Sequence, residues 1–314
     1  MLESKAVLLM KKEGTYGVDA APIATDAVPS GPVTWAFKDG SVQRKVVLPY
    51  FGELAKIPLG VGIDISFSIE IFGSGTKDVS PVLFGLMIQA LGWGETVNAG
   101  VSVVWDETTT QDVTGLTLYW YNDGIRYKAT GCVVESMKLD FSANKEATVA
   151  VKLSGLYGGV ADITDTALIT PTFGTLQVPP VFQGASLTID AYAAVISKCE
   201  IDITNTVAAR PDPNAASGVT RYSITARSIK GSIDPEQVAL ATWNPFSLWS
   251  AGTTGALSFT LGATSGNKYT LSLPAIAREL PKLAARSGIR TYQLAFESVP
   301  TLSAGNNRLT ITHL

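Results

Sequence analysis

The sequence is poor in charged residues, and this shortage excludes several classes of protein. Only 16% of its 314 residues are charged, against about 25% in an average soluble protein. The net charge of −3 argues against a protein that binds nucleic acid through a basic surface. A hydrophobic content of 46% excludes a disordered chain. The composition predicts a folded subunit that buries much of its outer surface against other copies.

The residue types that most catalytic and metal sites require are also scarce. The one histidine, His313, stands beside the C-terminus, where we expect the chain to fray. A Ser-His-Asp, Cys-His or zinc site would need this histidine or a cluster of cysteines. The sequence has neither a Walker A loop nor a GxGxxG motif after a strand. It therefore predicts no catalytic residue, no cofactor and no metal.

Two cysteines, Cys132 and Cys199, are too few for a disulfide framework. Each lies in a strand-like run, so we expect two reduced thiols in the core. The N-terminal segment lacks the order of charged and apolar residues that marks a signal peptide. The longest apolar run, Val82–Trp93, is broken by Gly85 and Gly92 and is too short to span a bilayer. We therefore expect a protein made in the cytoplasm without membrane contact.

Alternation of apolar and polar residues, typical of half-buried strands, runs through most of the chain. In Ile63–Ile71 isoleucine or phenylalanine occupies every second position, with Asp, Ser and Glu between them. The dipeptide Asp123-Gly124 predicts a tight turn between two strands. Further strands are predicted at Gly115–Tyr121, Val133–Phe141, Thr148–Leu153, Ser186–Tyr192, Val195–Ile203, Arg221–Ile229, Leu257–Leu261, Lys268–Leu273, Arg290–Phe296 and Arg308–Thr312.

Two segments carry helix signals instead. Pro81–Leu91 has Ser80 as its expected N-cap, and Pro245–Ala251 has Asn244. Each follows an alternating strand and precedes a strand pair, so the same order of elements recurs. This order predicts two tandem units, residues 1–158 and 185–314, joined by a Thr/Pro-rich connector, residues 159–184.

Several segments along the chain occur in an order that resembles one protein family. The first is Lys12–Pro22 (KEGTYGVDAAP), and the others are Leu48–Gly52, Ile65–Thr76, Ala90–Val97, Asp123–Tyr127, Leu153–Tyr157 and Ala251–Leu257. Together they resemble the major tail tube proteins of long-tailed, non-contractile bacteriophages, in particular those of Mu-like siphophages. The ordered series, which spans nearly the whole chain, carries the resemblance. Ile23, Leu59 and the Thr/Pro-rich connector depart from the family pattern.

The resemblance implies both a fold and an assembly. The subunit would be all-β with two short helices, in tandem tail-tube-type β-sandwich or barrel units that complete a closed β-barrel ring on oligomerisation. Stacked rings would form the tube of the virion tail, assembled in the host cytoplasm. This tube holds the tape-measure protein, passes double-stranded DNA and meets the tail terminator and distal tail proteins. With two units per chain, three chains would form a ring of pseudo-sixfold symmetry, and six chains are the alternative.

In such a tube we predict that strands from both halves form the inner wall. A conduit must not hold DNA, and the affinity for phosphate grows with each Lys or Arg that releases counterions. Polar strand residues of mixed charge fit this need. The residues predicted to face the lumen are Asp64, Ser66, Ser68, Glu70, Lys198, Glu200, Asp202, Ser223 and Thr225.

Two long loops, residues 39–60 and 205–218, are the predicted contacts between stacked rings. Both contain proline, and the first carries apolar residues that would be a liability on a free surface. Docking on the next ring would bury them. The predicted contact residues are Val46, Val47, Leu48, Tyr50, Phe51, Leu54, Arg210, Pro211 and Pro213.

A second function class stays open on the residues alone. Tyr119, Trp120 and Tyr121 are consecutive, and large aromatic side chains favour either a core or a contact surface. If exposed, they would form a stacking platform for sugars, as in a carbohydrate-binding or adhesin-like β-sandwich protein. A monomer that binds glycans would favour this class, and rings or polymers would favour the tube.

Overall fold

The computed structural model describes residues 6–38, 40–47, 49, 53–57, 59, 62–109, 112–162, 169–174, 176–215, 217–301 and 305–314. In chain order its strands are β1 (Ala6–Lys12), β2 (Ala27–Val28), β3 (Thr34–Lys38), β4 (Gly62–Glu70), β5 (Trp93–Asn98), β6 (Ser102–Glu107), β7 (Leu116–Asn122), β8 (Ile125–Ser142), β9 (Thr148–Asp162), β10 (Thr188–Ile189), β11 (Lys198–Pro211), β12 (Val219–Ile233), β13 (Gly255–Leu261), β14 (Tyr269–Arg278), β15 (Lys282–Arg286), β16 (Ile289–Ser298) and β17 (Thr310–His313). The helices are α1 (Val82–Ala90) and α2 (Pro245–Ser250). The predicted all-β architecture with two short helices is confirmed.

Eight strands form one antiparallel sheet in the order β3-β4-β9-β8-β11-β12-β16-β15, called here the eight-stranded sheet. Two long hairpins, β8–β9 and β11–β12, make up its centre. The pairing of β8 with β11, from Ser136 opposite Thr204 to Ser142 opposite Lys198, joins the two halves of the chain. Both edge strands, β3 and β15, pair with one neighbour only among the described strands. The sheet is therefore open in the single chain.

A second layer of strands covers one face of this sheet. It runs β10-β13-β14-β17-β6-β5, again antiparallel. The apolar residues of both layers form one core, in which the rings of Phe141 on β8 and Phe259 on β13 meet edge to face at 4.9 Å. Helix α1 adds Phe84, Met87 and Ile88 to the same core. Such interdigitation of two inner faces is the packing of a β-sandwich.

Both helices lie close to their predicted positions, but only one is capped as expected. At α2 the Asn244 side chain accepts a hydrogen bond from the Ser247 amide at 3.0 Å. At α1 the residue before the helix is Pro81, and no side chain caps it. The Ser80 hydroxyl instead donates to the Glu95 carboxylate at 2.8 Å. The predicted Ser80 cap is therefore wrong, because a nearby carboxylate takes this hydroxyl.

The predicted buried thiols are confirmed, whereas the predicted frayed histidine is wrong. Cys132 and Cys199 are free and fully buried, and burial raises the pKa of both thiols. His313 has no exposed surface and its Nε2 lies 3.0 Å from the Gly266 carbonyl oxygen. Burial also lowers the pKa of His313. The end of the chain is ordered because β17 pairs with both β6 and β14.

Half of one predicted loop is strand. Residues 205–218 were expected to form a long loop, yet β11 continues to Pro211 and β12 begins at Val219. Asn205 is buried, and its amide donates to the carbonyl oxygens of Leu91 and Val134. Only seven positions of the chain separate Pro211, the last residue of β11, from Val219, the first of β12. Pairing with the opposite strand extends the hairpin beyond what its alternation indicates.

The predicted division into two units stays a prediction. The order strand pair, helix, strand pair occurs as β3–β4, α1 and β5–β6, and again as β11–β12, α2 and β13–β14. Both stretches contribute to one sheet and one core. In the described part of the chain no helix is long and apolar enough to cross a membrane.

Candidate functional site

The candidate site is the polar face, the face of the eight-stranded sheet turned away from the core. On β4 the alternation holds as predicted, because Ile63, Ile65, Phe67 and Ile69 are buried. The residues between them point the other way and are partly or fully exposed. They are the predicted lumen residues Asp64, Ser66, Ser68 and Glu70.

Strand pairing brings predicted residues from distant parts of the chain onto this face. Glu70 pairs with Thr148, Thr148 with Asp140, and Asp140 with Glu200. Lys198 and Asp202 flank Glu200 on β11 and alternate with Cys199 and Ile201, which are buried. Seven of the nine predicted lumen residues thus share one face of one sheet.

The other two predicted lumen residues lie beyond an irregularity in β12. A bulge opposite Thr206 shifts the register of this strand. Ser223 is only 8% exposed, and its hydroxyl donates to Asp112 Oδ1 at 2.9 Å. Thr225 is exposed and donates to the Thr206 carbonyl oxygen at 3.0 Å. The structure does not place these two residues in the rows that contain Glu70 and Glu200.

Lysines on the polar face lie within reach of carboxylates. The Lys198 ammonium is 2.6 Å from Glu200 and 3.3 Å from Asp140. Lys138 lies 3.1 Å from the same Glu200 on the neighbouring strand. The hydrogen bond between Lys198 and Glu200 raises the pKa of the lysine and lowers the pKa of the carboxyl group. Lys198 therefore stays charged, and carboxylates balance the charge of both lysines locally.

A second group of charges lies nearer to β3. Lys38 is 2.7 Å from Asp64, and Lys152 is 2.9 Å from Glu135 and 4.0 Å from Asp64. The hydrogen bond to Glu135 raises the pKa of Lys152. The Ser154 hydroxyl lies between these groups, within hydrogen-bond distance of Asp64 at 2.8 Å and of Glu135 at 2.9 Å, and can donate its proton to either. Alternating signs at these spacings leave little net attraction for a polyanion.

Sequence reasoning missed six of the nine side chains in this network, Lys38 on β3 among them. Lys152 and Ser154 lie on β9, and Glu135, Lys138 and Asp140 lie on β8. The alternation in Thr148–Leu153 was a usable signal for β9. The predicted strand Val133–Phe141 also contained the β8 residues. What the sequence did not contain is the pairing that places them beside β4 and β11.

The predicted ring-stacking residues fall into two places. Val46 and Val47 are exposed, Val47 almost completely, and Leu54 is half-buried in the same loop. Leu48, Tyr50 and Phe51 lie outside the described residues. At the other place, the exposed residues Arg210, Pro211 and Pro213 lie at the tip of the β11–β12 hairpin.

The three consecutive aromatic residues do not form an exposed platform. Tyr119 and Tyr121 are buried in a small cluster with Val7, Leu9 and Ala27. Trp120 is half-buried on the opposite side of β7. Its ring stacks on Trp35 at 5.9 Å and on Tyr127 at 5.1 Å.

Among the residues that the structure describes, no three His, Cys, Asp or Glu side chains are grouped to hold a metal ion. The geometry instead offers an extended face of balanced charge on a sheet whose edges are open. A family model described as phage tail tube protein matches residues 3–300. The chain belongs to this family. No curated protein matches it.

Family membership makes this tail tube protein a structural component of the virion tail, and it implies that copies of the chain assemble into the tube. The mostly-β fold with open sheet edges agrees with such assembly. The narrower resemblance to Mu-like siphophages stays a prediction.

Proposed function

We propose that this tail tube protein forms rings of three copies, which stack into a tube that houses the tape-measure protein and conducts double-stranded DNA. The eight-stranded sheet carries the proposal. One face is covered by the second layer, the other is polar, and both edges are open. Exposed edge strands invite pairing with another chain, and a head-to-tail contact that repeats with rotation closes into a ring.

The strand count supports three copies over six. In a barrel the diameter grows roughly linearly with the number of strands. With strands about 4.8 Å apart and tilted by about 40°, three copies give a wall about 50 Å across and six give about 100 Å. The smaller ring already leaves room for one DNA duplex and the lining side chains. The recurring order of strand pair, helix and strand pair supports a pseudo-sixfold arrangement of this ring.

The polar face fits the lumen of such a conduit. Its lysines are accompanied by carboxylates on the same or an adjacent strand, as Lys198 is by Glu200 on β11 and by Asp140 on β8. DNA gains affinity mainly from basic groups that release its counterions, and balanced pairs offer few of them. Serine and threonine fill positions between the charges. A wall of this kind lets DNA pass without holding it.

Stacking would use the loop between β3 and β4 and the tip of the β11–β12 hairpin. The loop exposes Val42, Val46, Val47, Ile57 and Leu59, a large apolar surface for a free loop. Contact with the next ring would remove this surface from water, which is favourable in proportion to the area. At the ends of the tube the same surfaces would meet the tail terminator and distal tail proteins. Assembly would take place in the host cytoplasm.

Cryo-electron microscopy of the purified chain at high concentration tests the proposal. We expect stacked rings with threefold symmetry and the polar face turned inward. Six equivalent chains per ring would correct the copy number. A stable monomer that forms no polymer, even beside its natural tail partners, would contradict the proposal itself.

A further inference from the structure

We propose that neighbouring copies in the ring are joined by antiparallel pairing of β15 of one copy with β3 of the next, with Leu283 opposite Phe37 and Ala285 opposite Trp35. This inference rests on the proposed function, since it specifies how the ring closes. The occupant of each open edge is thus a second copy of this chain.

Both strands expose apolar side chains at the two ends of the same sheet. Leu283 on β15 is 73% exposed, and Phe37 on β3 is 50% exposed. Every residue of β15 except the last is exposed, and so is most of β3. Such edges are aggregation sites unless they are covered. An exposed edge at each end of one sheet is the requirement for a head-to-tail contact between identical copies.

The strand directions fit an antiparallel joint. Each of the seven pairings within the eight-stranded sheet is antiparallel. The two edge strands of an even-numbered antiparallel sheet run in opposite directions. When copies are related by rotation about a common axis, β15 and the β3 of the next copy therefore meet antiparallel. The joint continues the hydrogen-bonding pattern of the rest of the wall.

The two faces of the sheet also continue across the joint. Leu283 pairs with Tyr292 and Trp35 pairs with Ile65, and both of these partners are buried in the core. Leu283, Trp35 and Phe37 thus lie on the apolar face, because alternate residues share a face. Pairing places Leu283 beside Phe37 on this face. The exposed apolar residues at each edge complete the core of the neighbouring copy.

The rows of paired residues fix the offset between the two edges. The row through Glu70 reaches Ala295 on β16 by way of Asp140 and Glu200. Ala284, the middle residue of β15, pairs with Thr291 on β16. It therefore lies four residues along the strand, to one side of the row that passes through Ala295. The middle of β3, Ala36, pairs with Asp64 and lies six residues to the other side.

This offset agrees with the geometry of closed barrels. If all five residues of β15 pair with all five of β3 in the next copy, the two displacements of four and six residues add up. Each copy is then displaced from the last by ten residues along the strand direction. A shift of about 34 Å across about 38 Å of sheet corresponds to a strand tilt of about 40°, within the usual 35–45° for barrels. Sliding one strand past the other by one residue would pair Leu283 with a residue of the polar face, Ala36 or Lys38, instead of Phe37. Full overlap therefore satisfies pairing, faces and tilt together.

Two indole groups near β3 lack partners in the single chain. The Nε1 atoms of Trp35 and Trp120 are buried and find no acceptor among the described residues. Buried donors are normally satisfied, so these two unpaired groups mark the packing beside β3 as incomplete in the single chain. The small Ala285 opposite Trp35 leaves space for the indole ring. On the polar face Lys282 would meet Lys38, whose charge is balanced by Asp64 at 2.7 Å.

A cysteine pair tests the joint directly. Ala36→Cys with Ala284→Cys places two small residues opposite each other, at the Cα spacing of a non-hydrogen-bonded antiparallel pair, which suits a disulfide. The native Cys132 and Cys199 are fully buried and do not compete. We expect oxidised tubes to yield, on a non-reducing gel, a covalent closed ring of three chains and little free monomer. Each single variant should stay monomeric on the same gel.

A matched pair, Ala36→Cys with Val97→Cys, uses the exposed edge strand β5 of the second layer and should not cross-link within the ring. If the first pair disturbs assembly, Lys38→Cys with Lys282→Cys probes the same register two residues away. Tubes that form normally but link through neither pair would overturn the joint and leave the tube function intact. Failure of the unmodified chain to form tubes would overturn the proposed function and the joint with it.

Discussion

Glu107 and Glu200 are both carboxylates held by basic side chains, yet they lie in opposite environments. Glu107 is 2% exposed and lies 2.6 Å from Arg308 and 3.6 Å from Arg227. Glu200 lies on the polar face beside Lys198 and Lys138, within reach of water. Removing one member of a buried pair leaves the other charge uncompensated in the protein interior. At the surface, water replaces the lost partner. The same chemistry therefore holds the layers together at one site and balances charge on the polar face at the other.

The largest effect is expected at the buried site. Glu107→Gln leaves Arg227 and Arg308 without their counter-charge and should lower the free energy of unfolding by about 3–5 kcal/mol. Urea denaturation of the unassembled chain measures this loss. A loss as small as that of Glu200→Gln would show that the two sites do not differ as described.

Glu13 is a buried carboxylate that forms no ion pair with a described residue, and it sharpens the comparison. Its oxygens accept hydrogen bonds from the Gly131 amide at 2.7 Å, the Gly17 amide at 2.6 Å and the Thr117 hydroxyl at 2.9 Å. Glu13→Gln places an amide against backbone donors and should cost about 1–3 kcal/mol. Glu70→Gln, on the polar face, serves as the control and should change the free energy of unfolding by less than about 0.5 kcal/mol. Equal losses in the two variants would contradict the distinction.

Glu200 should give a small effect with a defined pH dependence. Its pKa is lowered in the folded state by the hydrogen bond from Lys198, so its contribution is present above the unfolded pKa and is lost as the pH falls through the folded pKa. Glu200→Gln should therefore cost about 0.2–1 kcal/mol at neutral pH and nothing in strong acid. Unfolding curves at neutral and acidic pH measure the difference. If the loss of unfolding free energy in Glu200→Gln grew as the pH fell, it would contradict the lowered pKa of Glu200 in the folded state.

Lysines introduced on the polar face should have the smallest effect on the free energy of unfolding. They should have the largest effect on the rate of DNA ejection. Ser66→Lys, Ser68→Lys and Glu70→Lys together should leave tubes intact but slow DNA ejection, because unbalanced lysines bind phosphate with strong salt dependence. Ejection rates at several salt concentrations measure this. Lysines placed on the exposed turn at Ala263, Thr264 and Ser265 should not change the rate. Unchanged ejection in the first variant would count against a lumen position for this face.

The sequence predicted which face of a strand each side chain occupies better than it predicted which strands pair with each other. Alternation in β4 correctly separated Ile65 from Ser66, because facing is a local property of an extended chain. It did not predict that Asp140 and Glu200 are adjacent, which depends on the pairing of strands about sixty residues apart. Alternation also failed at Ser223, since a bulge changes the register without a clear local signal.

Composition and periodicity alone determined that this chain is strand-rich, poor in the residues of catalysis and dependent on covering its apolar surface, because these are sums and local patterns. Only the tertiary structure decided which strands are neighbours, that one face combines charges from both halves of the chain, and that β3 and β15 remain open. Such features arise from contacts between distant residues, whose energies depend on the whole packed arrangement and are not written in any short segment.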